Sequence, residues 1–171
     1  MKIVLVGYMG SGKSTVGGEL ALNQKSVFLD LDAYIENREG LTIAKIFEQQ
    51  GELYFRKKEG EYLKEILSLE SDVVLATGGG APCYGHNMNE ILKATKNVFY
   101  LKLSLPFLVN RLAEEKEQRP LINNIVREEL PEFIGKHLFE RSFYYNQANT
   151  SILCDDKTPQ EIVRIITENL V

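Results

Sequence analysis

Long apolar runs are missing from this chain, and so is any excess of basic residues. No stretch approaches the ~20 consecutive apolar residues that a bilayer span needs, and the first residues enter a strand-like run with no basic-then-apolar leader before it. The expected address is the cytoplasm, with no membrane partner. The formal net charge is −4, from 20 Lys and Arg against 24 Asp and Glu, which argues against a nucleic-acid binder of the usual basic kind. Small-molecule partners are expected instead. Tryptophan is absent, and cysteine and histidine occur only twice each. Cys83 and Cys154 lack metal-ligand spacing and read as free thiols of a reducing compartment. His86 and His137 have no partner at i+3 or i+4, so surface or packing roles fit them better than metal binding. Internal repeats, linkers and low-complexity tracts are lacking too. The 171 residues therefore read as one domain, expected to be a monomer, of a size that buries roughly 70% of its unfolded surface.

What the chain does have is the stretch Gly7-Tyr8-Met9-Gly10-Ser11-Gly12-Lys13-Ser14-Thr15, which fits G-x-x-x-x-G-K-S/T without a mismatch. Before it runs Lys2-Ile3-Val4-Leu5-Val6, a β-branched apolar run that reads as a strand buried on both faces. After it, Val16 to Leu22 can continue as a helix, although Gly17 and Gly18 each weaken that helix by roughly 1 kcal/mol relative to Ala. Strand, loop and helix are the context in which this pattern binds phosphates. Glycines at positions 7, 10 and 12 let the backbone turn sharply and bring its N–H groups up to a triphosphate. The helix starting near Lys13 aims its free N–H groups and positive dipole end at the same anion. Lys13 adds a mobile cation, and Ser14 offers a hydroxyl to Mg²⁺, a hard ion that takes oxygen ligands. A glycine-rich turn with an incidental lysine is the alternative, and a complete match behind a first strand is hard to produce by accident.

Further along, Ser26 to Asp32 reads as a second buried strand, ending in Asp30 and Asp32 at i and i+2 and so on one side. Ligands of an open parallel sheet gather at the carboxyl ends of its strands, which turns both carboxylates towards the site. Asp32 could instead simply cap a helix starting at Ala33. From Leu41 to Leu69 apolar residues recur at threes and fours, broken at Gln50-Gly51, and predict two helices. Within them Phe55-Arg56-Lys57-Lys58-Glu59 reads equally well as a solvated face or as a functional cluster. The third strand, Asp72 to Thr77, runs into Gly78-Gly79-Gly80, where the absence of side chains lets something approach the backbone closely. A fourth strand is predicted over Asn97 to Leu103, followed by a helix behind Ser104 and Pro106. Residues 113–125 are polar and weakly periodic, a surface loop or a lid. The lid reading gains from the phosphate loop, because phosphoryl transfer must exclude water, and Arg119 could then stabilise the transition state. A helix around Phe133 to Tyr145, a fifth strand over Thr150 to Cys154 and a last helix opened by Thr158-Pro159-Gln160-Glu161 complete the chain. Strands alternating with helices demand a parallel sheet covered on both faces, an α/β architecture in three layers.

Taken together, the phosphate loop, Asp30-x-Asp32, Gly51-x-x-x-Phe55-Arg56-x-x-Glu59, the triple glycine, Arg119-Pro120-Leu121 and Arg141-x-x-x-Tyr145 closely resemble the shikimate kinase family over nearly the whole chain. The loop alone is shared by countless NTPases, whereas the combination is specific. The resemblance implies a P-loop kinase fold of the nucleoside-monophosphate-kinase kind, with a five-stranded parallel sheet in the order 2-3-1-4-5. It implies transfer of the γ-phosphoryl of ATP to the 3-hydroxyl of shikimate, with Mg²⁺, in aromatic amino-acid biosynthesis. ATP would be held by Gly10, Ser11, Gly12, Lys13, Ser14 and Thr15, by the lid arginine Arg119, and around the adenine by Arg111 and Lys157. Lys13, Asp32 and Arg119 would carry the catalysis, with Asp32 beside the reacting hydroxyl. Mg²⁺ would sit on Ser14 and, through water, on Asp30, since Thr77 leaves no acid at the end of the third strand. Arg56 and Arg141 would bind the substrate carboxylate, and Gly78, Gly79 and Gly80 would line the shikimate pocket. The helical region about 32–60 would be the substrate-binding part and 113–125 the lid. A gluconate kinase would share the loop and the lid but not this combination of motifs. A non-enzymatic nucleotide-sensing module would leave Asp32 or Arg119 idle.

Overall fold

A computed structural model describes residues 1–171. Five short strands, β1 (Lys2–Val6), β2 (Val27–Asp30), β3 (Val73–Ala76), β4 (Val98–Lys102) and β5 (Thr150–Leu153), form one parallel sheet in the order β2-β3-β1-β4-β5. This is the order that the resemblance implied. In register, Leu5 of β1 lies between Ala76 of β3 and Phe99 of β4. The β-branched and aliphatic run of β3 is buried at every position, as are Ile3 to Val6 of β1, because a parallel sheet needs cover on both faces. That cover comes from α1 (Lys13–Gln24), α2 (Leu31–Glu39), α3 (Ile43–Ser68), α4 (Asn87–Ala94), α5 (Leu105–Glu114), α6 (Leu130–Tyr145) and α7 (Pro159–Glu168). Pairing α1 with α7, α2 with α3 and α5 with α6 closes a core of 36 buried residues.

Local chemistry explains most boundaries. The last helix starts where the sequence predicts: the Glu161 N–H donates to the Thr158 hydroxyl at 3.2 Å and the Thr158 N–H to the Glu161 carboxylate at 2.7 Å, a reciprocal cap behind Pro159. Gly51 departs from helical geometry at φ 84° and ψ 170°, so α3 is two helical pieces meeting at the predicted break. Gly17 weakens α1 for a packing reason, since a Cβ there would lie 2.5 Å from the Phe28 ring of β2.

Two expectations need correction. The second strand stops at Asp30, and Asp32 lies in the first turn of α2. Asp30 is the cap, its Oδ1 accepting the Ala33 N–H at 3.2 Å, and this bond ends the strand two residues early. The two carboxylates are therefore held by a strand end and a helix start, not by one strand. In addition α4, which buries Met88 and Ile91, was not anticipated. Residues 113–125 leave α5 through a 3-10 turn at Lys116–Gln118, and Ile122 is buried against the core.

Candidate active site

The carboxyl ends of β1, β2 and β3 open into a cleft of about 480 Å³ whose walls include the phosphate loop, Asp30, Asp32, Thr77, Gly78, Gly79, Arg111, Arg119 and Lys157. Gly10 (φ 77°) and Gly12 (φ 91°) take backbone angles that L side chains avoid. They curl the loop so that Ser11, Lys13, Ser14 and Thr15 all line the cleft at the start of α1. Lys13 is not the mobile cation expected of it. It is 8% exposed, and its Nζ donates to the Gly7 and Tyr8 carbonyl oxygens at 2.7 and 2.9 Å. Burial pushes its pKa down to about 8, against the pull of Asp32 and Asp30.

Opposite the loop, Ser14 Oγ donates to Asp30 Oδ2 at 2.5 Å. Asp32 stands across Gly78, where a Cβ would come within 2.7 Å of its Oδ1; only glycine leaves room for that carboxylate. Burial, and after it the Asp30 charge, raise the Asp32 pKa to about 6, while Lys13 and Arg56 hold it from rising further. Such a carboxyl changes charge just below neutrality, as a group that takes and returns a proton must.

A second cluster lies beyond the triple glycine. A Cβ on Gly80 would sit 2.9 Å from Arg56 Nη1 and 3.2 Å from Arg141 Nη2, so two guanidinium groups from α3 and α6 converge on one point. Arg56 Nη1 also donates to Glu59 at 2.8 Å, one of the ion pairs that a purely structural reading would expect. Arg141 is 8% exposed and has no carboxylate within 4.0 Å. An uncompensated cation in such a place is expensive unless an anion joins it. Its helix is tied to the sheet loops by Tyr145, whose hydroxyl donates to the Gly79 carbonyl at 2.5 Å.

Elsewhere on the cleft wall, Arg111 Nη1 donates to the Gly10 carbonyl at 2.8 Å, bracing the loop, and Lys157 lines the cleft before α7. Arg119 is gripped by Glu115, which accepts from its Nε at 3.1 Å and its Nη2 at 2.6 Å. The cleft thus brings together the phosphate loop, Asp30, Asp32, Gly78, Gly79, Arg111, Arg119 and Lys157, with Gly80 and the arginine pair behind the glycines.

Similarity to known proteins agrees with this geometry. The family model described as "SKI: Shikimate kinase" matches residues 9–171. A shikimate kinase of Flavobacterium johnsoniae is 47% identical over 99% of this chain and 98% of its own length. The chain belongs to the shikimate kinase family. Among solved structures, shikimate kinase from Bacteroides thetaiotaomicron superposes with a TM-score of 0.91 at 35% identity, covering 98% of this chain and 97% of that one. Shikimate kinase from Acinetobacter baumannii in complex with shikimate gives 0.87 at 34% identity, over 98% and 90% of the two chains.

Of the two readings of the cluster at residues 55–59, a solvated face does not fit Glu59, which is 1% exposed and paired with Arg56 in this shikimate kinase cleft. Tyr8 lies 2.8 Å through its Oη from His137 Nδ1, linking the phosphate loop to the helix of Arg141. Burial holds the His137 pKa down to about 4, so the ring is neutral and packs against Tyr8 and Phe133. Nothing in the pattern marked Tyr8, because its position in the loop motif accepts any residue.

Proposed function

We propose that this chain phosphorylates the 3-hydroxyl of shikimate with ATP, giving shikimate 3-phosphate and ADP. The observation that carries the reading is the buried, carboxylate-free Arg141 converging with Arg56 above Gly80, next to the Asp32 carboxyl and a phosphate loop. A small ring bearing one carboxylate and several hydroxyls is the acceptor such a site suits. In this reading Arg56 and Arg141 hold the carboxylate, and Gly78 to Gly80 offer backbone to the ring. Asp32 accepts the proton of the attacked hydroxyl, and the loop N–H groups with Lys13 neutralise the phosphates. Ser14 and Asp30 provide the oxygen donors that Mg²⁺ prefers, and no cluster of three acidic or imidazole ligands competes for a metal. Bound there, the ion would neutralise charge between the phosphates. We also assign 32–60 to substrate binding and 113–125 to the lid. With both cysteines free and no helix long and apolar enough to cross a membrane, we place the enzyme in the cytoplasm.

A coupled ADP-release assay with shikimate, gluconate or no acceptor tests the activity. Turnover with shikimate alone is expected; equal turnover with gluconate would move the reading to another small-molecule kinase, and none with either to a nucleotide sensor.

For the carboxylate pair, Arg56→Lys or Arg141→Lys keeps the charge but loses the planar fork. Each is expected to raise the KM for shikimate about 10- to 100-fold, the worth of a hydrogen bond to a charged group, with ATP affinity nearly unchanged. The neutral methyl ester of shikimate should bind wild type poorly and lose little more in the variants. An ester that binds as well as the acid would remove the pair from the site.

For the lid, Arg119→Ala should lower kcat far more than it raises the KM for shikimate, because Arg119 meets the phosphates only after leaving Glu115. Hydrogen exchange across residues 113–125 should slow when both ligands are bound. Equal exchange in the free and doubly bound protein would mark an inert loop.

A further inference from the structure

Tyr84 follows the short 3-10 turn Ala81–Cys83 behind the triple glycine, and its ring centroid lies 3.7 Å from Cζ of Arg56. At that distance the guanidinium rests on the face of the ring. The Tyr84 hydroxyl donates to Glu52 Oε1 at 3.3 Å, and the same oxygen lies 3.8 Å from Arg56 Nε. Tyr84, Glu52 and Glu59 thus enclose Arg56 on three sides. Its Nε is nevertheless buried with no hydrogen-bond partner, a donor left in want of an acceptor. Tyr84 itself remains 36% exposed, more than a core aromatic would be.

From this we propose that Tyr84 is a positioning residue for substrate, acting through Arg56. Stacking fixes the plane of the guanidinium without consuming any of its in-plane N–H groups. Glu59 takes Nη1 and limits rotation about the side chain. The remaining donors are then presented as a fork before a carboxylate arrives, and the ordering cost of a long, flexible side chain is met in the free enzyme. The proposal rests on the reading that Arg56 binds the shikimate carboxylate. It adds that an aromatic face at position 84 sets how well the enzyme distinguishes that acid from a neutral analogue.

The test measures shikimate and its methyl ester on wild type and on Tyr84→Phe, Tyr84→Leu and Tyr84→Ala. Leu keeps apolar bulk on the loop without the π face and guards against a result due to misfolding. Phe should stay within about twofold of wild type, whereas Leu and Ala should raise the KM for shikimate about tenfold, within the range of a partly desolvated cation–π contact. The KM for ATP should not change, and binding of the ester should hardly respond. Added to Arg56→Lys, the Ala change should have little further effect, since both act on one interaction. Unchanged KM in the Ala variant, full retention by Leu, or equal losses for acid and ester would each overturn the role of Tyr84. A wild type that binds ester as well as acid would instead remove the carboxylate reading beneath it, and the proposal with it.

Discussion

Lys13→Ala is expected to abolish phosphoryl transfer. The side chain is folded inward, with Nζ on the Gly7 and Tyr8 carbonyl oxygens at 2.7 and 2.9 Å, so the ammonium is already in place under the loop before a nucleotide arrives. Groups fixed in advance where charge develops are the most effective kind, and losing one such donor costs about 10²- to 10³-fold in kcat. Lys13 also carries a full charge, and the loss should reach the upper end of that range. Burial lowers its pKa to about 8, which still leaves it mainly cationic at neutral pH. The same burial predicts how stability changes. With the folded pKa below the usual 10.5, the charged amine costs stability below pH 8, and that cost fades as pH rises from 8 towards 10.5. Lys13→Met should therefore gain on wild type more at pH 7 than at pH 10 in urea unfolding, while remaining inactive at both. Turnover near wild type in either variant would end the phosphate-loop reading.

Local rules reached far into this fold because most strands are short apolar runs followed by a clear break. The Thr158 to Glu161 cap and the break at Gly51 were legible residue by residue. The strand order was not, since periodicity says that β1 and β3 are buried on both faces but not which neighbour each one pairs with. That order came with the resemblance. The boundary between Asp30 and Asp32 misled for a physical reason: Val27 to Leu31 is as good a strand as it is a helix start, and the capping bond from the Ala33 N–H to Asp30 decides between them. Lys13 misled because a lysine on a glycine-rich loop looks solvated until the loop curls over it. Tyr84 carried no signal at all. Its contact with Arg56 spans 28 residues and depends on how the loop behind Gly80 meets α3, which no local pattern encodes. The catalytic proposal for Asp32 stands between these extremes, with its position at the cleft legible and its unusual acidity not.

Asp32→Asn should separate activity from stability. The substitution keeps the shape of the side chain over Gly78 but removes the negative acceptor, and kcat should fall about 10²-fold or more, the usual worth of a general acid–base group. In wild type the folded carboxyl titrates at about 6 rather than its ordinary 3.8. If Asp32 takes the proton of the hydroxyl, activity should decline as pH falls through 6, and the residual activity of the Asn variant should lack that limb. Stability should move the other way. An acid whose folded pKa is raised binds its proton more tightly in the folded state, so its ionised form costs stability. That cost is fully present above pH 6 and gone below 3.8. The Asn variant should accordingly melt higher than wild type at pH 8 and converge with it near pH 4. A carboxylate that merely favoured the first turn of α2 through the helix dipole would behave oppositely, since its removal would lower the melting temperature at pH 8. Unchanged turnover across the whole pH range, or a destabilised Asn variant at pH 8, would return Asp32 to that structural role. Loss of turnover together with a higher melting temperature is the combination expected of a group held in an unfavourable charge state for its chemistry.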